Sequence, residues 1–261
     1  MRSFASWLAL VATLAGSATA CSTYTTPGRA ANLAEIDRVD IRTEMERRPA
    51  ASFPARLAVV RVQASGYRSY SAPQSLAAGG FDVMTVQELL RSAQSDAIGA
   101  WPSIAGVAPI NRMLLPAHMN GLDDLRVAAA KVQADVLLLY TLDTTFRVQS
   151  KSVLPLGLLS LGTLPDREAQ VTATAAAMFI DVRTGFVYGL GEATAKESGL
   201  ANFWSSEDQL DKKRIAAEQG AFDALVGELE KTWRGIASQH AGAQAEPERT
   251  TPTAQAVRDI L

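Results

Sequence analysis

The sequence contains one cysteine, Cys21, and only two histidines, His118 and His240. A lone cysteine cannot form an intramolecular disulfide, so a hydrophobic core and not a cross-link has to hold the fold. Neither histidine has a cysteine or a second histidine at ligand spacing, which argues against a zinc site. We interpret His118 as a solvated loop residue and predict no metal and no cofactor.

Charge of one sign and long hydrophobic runs are scarce as well. The formal net charge is −2 and no basic stripe is present, so we predict no nucleic-acid partner. Beyond the N-terminal segment, no apolar run approaches the ~18–20 residues that a membrane-spanning helix needs. Attachment to a membrane would therefore depend on a lipid or on a segment that lies on the membrane surface.

Motifs for hydrolysis and nucleotide binding are missing too. A nucleophile elbow needs glycine two residues on either side of its serine, whereas Gly157 lies three residues before Ser160. Gly189 and Gly191 lie inside a predicted strand, although a dinucleotide-binding motif would have to open a helix. We predict that these two glycines permit a close backbone approach. The sequence indicates no catalytic site, and we predict that the protein is not an enzyme.

The N-terminal segment has the order of a secretory signal, with Arg2 before an apolar stretch at 7–15 and small residues at 18–20. Small residues directly before Cys21 resemble the lipobox of bacterial lipoproteins. That resemblance implies cleavage before Cys21 and diacylation of its thiol, with palmitate as one acyl chain. Ser22 follows, which by analogy with lipoprotein sorting favours the outer membrane. Ordinary cleavage that leaves a free N-terminal cysteine is the alternative.

The remaining chain predicts one mixed α/β domain. Apolar and alternating segments indicate strands at 56–62, 104–110, 136–148, 171–182 and 186–195. Helical spacing indicates helices at 86–97, 122–132 and 215–236, and a capping-box pattern opens the first at 85–88. We predict a single sandwich of a mixed sheet with a long antiparallel hairpin, packed by about three helices. Residues 64–80 are predicted to be a loop.

Four regions follow from this pattern. They are a signal peptide at 1–20, a lipidated tether with a short helix at 21–54, the sandwich at 55–236, and a disordered tail at 237–261. Within the sandwich, Asp135 is predicted to end a helix and start a strand, and the Asp181 side chain to support a hairpin turn at 183–185. The sequence cannot place any two of its aspartates together.

The segment at 134–140 (Ala-Asp-Val-Leu-Leu-Leu-Tyr) and the turn at 181–185 (Asp-Val-Arg-Thr-Gly) resemble a group of envelope lipoproteins. The chain is similar to the periplasmic domain of the curli secretion channel family, to lipoprotein activators of peptidoglycan synthases and to the TolB amino-terminal domain. The resemblance covers roughly 55–236 and implies an α/β sandwich with an interaction role. A channel would need long amphipathic hairpins, and the segment at 153–164 is short and does not alternate.

That segment is the second candidate site, because a connection between strands is normally polar. It has no charge and is rich in leucine, at Leu154, Leu156, Leu158, Leu159, Leu161 and Leu164. One interpretation is that it folds back and caps the sandwich. The other is that it is an exposed apolar tip that contacts a partner or the lipid interface beneath the anchor.

The sequence therefore predicts a lipid-anchored envelope lipoprotein that faces the periplasm. We expect it to act as a non-catalytic binding or scaffold module for an envelope protein or a peptidoglycan-associated partner. The alternative is an oligomeric secretion or channel-associated subunit of the curli type, and the sequence leaves a homo-oligomer open.

Overall fold

The structure, a computed structural model, describes residues 30, 41–65, 76–78, 81–84, 90–117, 119–150, 167–201 and 207–243. Over these residues the chain forms four α-helices and seven strands. In chain order they are α1 (Ile41–Glu46), β1 (Ala55–Ala64), β2 (Leu76–Ala78), β3 (Phe81–Met84), α2 (Ser92–Gly99), β4 (Ile104–Pro109), α3 (Leu122–Lys131), β5 (Val136–Ser150), β6 (Arg167–Asp181), β7 (Val187–Ala201) and α4 (Glu207–Ala243).

The seven strands form one mixed sheet, in which six lie in the order β2-β3-β1-β5-β6-β7 and β4 pairs with β1 off this path. One edge of β1 is shared, because β4 pairs in parallel with its first half and β3 pairs antiparallel with its second half. The other edge of β1 lies parallel to β5. The strands β5, β6 and β7 are antiparallel and 15 residues long, and we call them the long ribbon. The predicted mixed sheet with a long antiparallel hairpin is confirmed.

Helices cover both faces of the sheet around β1 and β5, and each face has its own core. Successive residues of a strand point to opposite faces. Leu57, Leu138 and Phe179 therefore join α2 and α4 on one face, whereas Val60 and Leu139 join α3 on the other. Three helices thus pack on the sheet, as the sequence predicts. The half of the long ribbon beyond β1 has α4 on one face only, since Thr145 and Arg147 of its opposite face are exposed.

Glycine allows α4 to lie directly on β7. A Cβ at Gly191 would lie 2.7 Å from the Leu229 side chain, and one at Gly189 would lie 2.7 Å from that of Thr232. Real Cβ atoms do not approach so closely, so a larger residue at either position would force the Leu229 or Thr232 side chain out of its place. The prediction that these glycines permit close approach is confirmed.

Two parts of the sequence interpretation are wrong. Residues 76–78 form β2 inside the predicted loop, and β3 follows at once. Both strands are short, and β3 pairs with residues distant in sequence, so local periodicity does not reveal it. Residues 85–88 lie outside the described residues, but α2 begins only at Ser92, where the Arg91 N–H donates to the Gln94 side chain. The predicted helix at 86–97 is therefore wrong at Leu90 and Arg91, which are not helical.

The C-terminal boundary also differs. Helix α4 continues to Ala243, so the prediction of disorder is wrong for 237–243. The His240 ring stacks on Phe53 at 6.4 Å between ring centroids and meets Tyr188 edge-on at 5.1 Å. These contacts stabilise an extra turn that a sequence rich in alanine and glycine does not predict by itself.

Candidate functional site

The first candidate region is the end of the sheet where the N-terminal segment joins the domain, which we call the tether end. Asp181 closes β6 and is fully buried. One carboxylate oxygen accepts hydrogen bonds from the backbone N–H groups of Arg183 (2.8 Å) and Thr184 (2.9 Å), which shapes the hairpin turn. The other accepts from the Ala50 N–H (2.6 Å) and the Tyr188 hydroxyl (2.8 Å). The predicted support of the turn by Asp181 is confirmed.

A second aspartate completes the tether end. Asp135 lies between α3 and β5, as predicted, and accepts from the Arg56 N–H at 3.0 Å. Its other oxygen accepts from the Arg183 guanidinium at 3.0 Å, and the same guanidinium donates to the Ala50 carbonyl at 3.2 Å. Ala50 is thus held through both its N–H and its C=O, and the chain leaves the domain at a fixed point.

Protonation at the tether end follows from these contacts. Burial by itself would raise the pKa of the Asp181 carboxyl. The hydrogen bonds donated by Ala50, Thr184, Tyr188 and Arg183 outweigh burial and hold the pKa of Asp181 below its ordinary value. Burial raises the pKa of the Tyr188 phenol, and donation to the Asp181 carboxylate raises it further. Asp181 is therefore ionised and Tyr188 neutral at neutral pH.

The second region is a buried charged cluster between β1, β5 and α4. The Glu218 carboxylate accepts from Arg214 at 2.7 Å and lies 3.5 Å from the Arg61 guanidinium. Its other oxygen accepts from the Thr144 hydroxyl at 2.9 Å, and Asp211 accepts from Arg214 at 2.8 Å. These two arginines and Glu218 are at most 2% exposed, so a diffusing substrate cannot reach them in this conformation.

Sequence reasoning missed this cluster, although a signal exists. Arg61 interrupts the apolar run of β1, and Arg214 and Glu218 are four residues apart on the buried stripe of α4. A charged residue at a core position of a helix or strand needs a partner, because an unpaired buried charge is costly. When oppositely charged residues occupy core positions of two separate elements, the sequence therefore predicts that they form a pair.

The charged cluster lies where the sheet divides. The ladder between β1 and β5 ends at Arg61 and Tyr140. Just beyond it, the Gln63 side chain accepts from the Leu142 N–H at 2.8 Å and donates to the Leu142 carbonyl at 2.9 Å. The side-chain amide of Gln63 thus makes the two hydrogen bonds that one more backbone pair between β1 and β5 would have made. Beyond this point β1 continues beside β3, and β5 continues only in the long ribbon.

The third region is the far end of the long ribbon, where Ser150 pairs with Arg167. From Asp181 to Arg167 the ribbon is about 45 Å long, at ~3.3 Å per residue. The leucine-rich connection, which is the predicted contact site, therefore begins and ends at the opposite end of the sheet from the tether end. The leucines themselves, Leu154, Leu156, Leu158, Leu159, Leu161 and Leu164, lie outside the described residues.

The predicted anchor Cys21 and the loop residue His118 also lie outside the described residues. Within the ranges that the structure does describe, no cluster of histidine, cysteine and carboxylate side chains could hold a metal ion. In the same ranges, no helix combines the length and apolar character needed to cross a membrane.

Comparison with known proteins gives structural likenesses only. No protein-family model matches the chain, and no curated protein matches it. Among solved structures, it is similar to protein XCC0632 from Xanthomonas campestris, with 16% identity and a TM-score of 0.34, over 76% of this chain and 94% of that one. It is also similar to lipoprotein GNA1162 from Neisseria meningitidis, with 14% identity and a TM-score of 0.31, over 66% and 99%.

A third similar structure is a PelC dodecamer from Paraburkholderia phytofirmans, with 14% identity and a TM-score of 0.28, over 67% of this chain and 92% of that one. At these identities and TM-scores, the likenesses assign no function to this chain. Its place among the curli, synthase-activator and TolB groups stays a prediction.

Proposed function

We propose that the protein is a lipid-anchored cell-envelope lipoprotein that acts as a non-catalytic binding or scaffold module. The observation that carries the proposal is the separation of its two ends. The N-terminal segment, with Cys21 at its predicted mature start, is fixed to the sheet at Ala50 through Asp181 and Arg183. The connection at 151–166 joins strand ends about 45 Å away.

The packing of α4 on the long ribbon supports a binding role. Helix α4 packs along β7 through Gly189 and Gly191, and the charged cluster joins α4 to β1 and β5. The pairing of Ser150 with Arg167 also holds the two ends of the connection side by side, so a partner meets chain ends that are already positioned. The enclosure of Arg61, Arg214 and Glu218 supports a role other than catalysis.

The separation also changes the role proposed for the leucine-rich connection. The chain between Cys21 and Ala50 spans at most about 100 Å when fully extended. For the connection to meet the anchoring membrane, this chain would have to return along the whole ribbon. We propose that the connection contacts another envelope component and not the lipid beneath the anchor, because its strand ends lie about 45 Å from the point where the tether leaves the domain.

The anchor is tested by Cys21→Ser. Two or three acyl chains give stable attachment, at ~0.8 kcal/mol per buried methylene. We expect the variant to lose palmitate labelling and to leave the membrane fraction. Unchanged labelling and fractionation would contradict lipidation at Cys21.

The binding role is tested by changing Leu158 and Leu159 to serine, with Val127→Ser as a matched control on the exposed surface of α3. Crosslinking of the lipidated chain in intact cells and thermal melting are measured for both variants. We expect the leucine variant to lose a crosslinked envelope partner and keep its melting temperature, and the control to keep both. A lowered melting temperature would show that the connection caps the sandwich, and an unchanged crosslinking pattern would refute the binding role.

A further inference from the structure

The outer edge of β7 is the longest strand edge that no other strand of the described residues pairs with. At the centre of this edge, the side chains of Glu192, Thr194, Lys196, Glu197 and Ser198 are all exposed. An exposed edge of this length presents a row of backbone N–H and C=O groups to any strand that can align with it. The strand that pairs with this edge can be inferred from the charged side chains along β7.

We propose that β7 is an interface between two copies of this chain, which pair β7 with β7 in antiparallel register around a two-fold axis at Thr194. In this register Glu192 lies opposite Lys196 of the second copy, and Lys196 lies opposite Glu192 of the second copy. Directly opposite residues of unlike charge stabilise an antiparallel pair. Each copy thus contributes one glutamate and one lysine, and the interface contains two Glu–Lys pairs.

Other positions of the axis lack this match. An axis at Glu192 or at Lys196 would place that side chain opposite its own copy, and like charges directly opposite each other are destabilising. Thr194 is also the middle residue of β7, which runs from Val187 to Ala201. The register that pairs the charges is therefore also the one that gives the greatest overlap of the two strands.

Threonine contacts favour the same axis. Within one chain, the hydroxyls of Thr174 on β6 and Thr194 on β7 lie 2.9 Å apart across the ladder. With the axis at Thr194, this row continues through the second copy. A two-fold axis perpendicular to the sheet also keeps both α4 helices on one face. Because such a contact is the same on both copies, it closes at a dimer and does not grow into a ring.

A cysteine at the axis tests the register. The full chain carrying Cys21→Ser and Thr194→Cys has a single thiol, which in the proposed dimer faces itself at ~4.5–5.5 Å between Cα atoms, within disulfide reach. The control is Thr174→Cys in the same background. Its two copies would lie three strand spacings apart, about 14 Å. After mild oxidation we expect a disulfide-linked species of twice the 27.8 kDa chain mass for Thr194→Cys only. No such species, or equal amounts from both variants, would overturn the proposal.

A charge exchange tests the paired residues. We expect Glu192→Lys or Lys196→Glu alone to weaken self-association about tenfold or more, since each puts two like-charged pairs in place of two unlike ones. The double variant restores the pairs and should return the dissociation constant to within about threefold of its original value. Sedimentation equilibrium of the full chain carrying Cys21→Ser measures this.

Equal dissociation constants for all four chains would overturn the assigned register. A monomer at every concentration would overturn the dimer and leave the edge to a strand of another protein. The proposal goes beyond the binding role above and is independent of it, since self-association is measured without anchor or partner.

Discussion

Asp181→Asn removes the charge at the tether end and keeps the size of the side chain. The carboxylate accepts two hydrogen bonds at each oxygen, from Arg183 and Thr184 on one side and from Ala50 and Tyr188 on the other. An amide can serve only one of these pairs, because its NH₂ group would point at the donors of the other. Two donors would then be left without an acceptor in a buried site.

Each unsatisfied buried donor costs ~1–3 kcal/mol, so for the two donors we expect a loss of about 2–6 kcal/mol in the free energy of unfolding. For a domain of this size, ~2–4 °C per kcal/mol predicts a melting temperature about 10 °C lower. The measurement is thermal unfolding followed by circular dichroism at pH 7. The control is Asp143→Asn, since Asp143 lies only half-buried on the uncovered face of the long ribbon. A loss below about 1 kcal/mol for Asp181→Asn would refute the assigned role.

The same variant has a pH signature. The pKa of Asp181 in the folded chain lies below its ordinary value of 3.8, so its ionised form contributes stability above that value. This contribution is lost as the pH falls through the lower folded pKa. We therefore expect the difference in melting temperature between the original chain and Asp181→Asn to shrink below about pH 4. A difference that stays constant or grows in acid would contradict the mechanism.

Three further predictions concern α4 and its packing. Trp233 is fully buried, so Trp233→Ala should lower the free energy of unfolding of the domain by about 3–5 kcal/mol, as measured by urea unfolding. Gly191→Val should lower the melting temperature because its side chain would meet Leu229, whereas Gly227→Ala, which meets nothing within 4 Å, should raise stability by ~0.5–1 kcal/mol. Glu218→Ala should lower the free energy of unfolding by about 3–5 kcal/mol, because it leaves two buried guanidinium groups without their shared carboxylate. Chemical denaturation measures this loss. An unchanged free energy of unfolding would show that the cluster does not join α4 to the sheet.

Local patterns in the sequence were enough to predict most elements. The alternation after Leu142 marks the point where β5 leaves the covered sheet, since its facing side chains are buried and exposed in turn. The stripe through Phe222, Leu225 and Trp233 marks the face of α4 that packs on the sheet. These signals are readable because each depends on residues a few positions apart.

Only the tertiary structure decided how distant segments meet. Ala50 and Asp181 are 131 residues apart, and the hydrogen bond between them sets where the tether leaves the domain. Arg61 and Glu218 are 157 residues apart, and their pairing joins α4 to β1. A local pattern does not show which distant residue each of these groups meets, because the fold supplies each stabilising partner. The sequence by itself predicted a secretory signal before Cys21 and the order of the strands and helices apart from β2 and β3, and it contains the leucine-rich connection. The fold determined that this connection and the tether start from opposite ends of the sheet, because β5 and β6 run its full length between them.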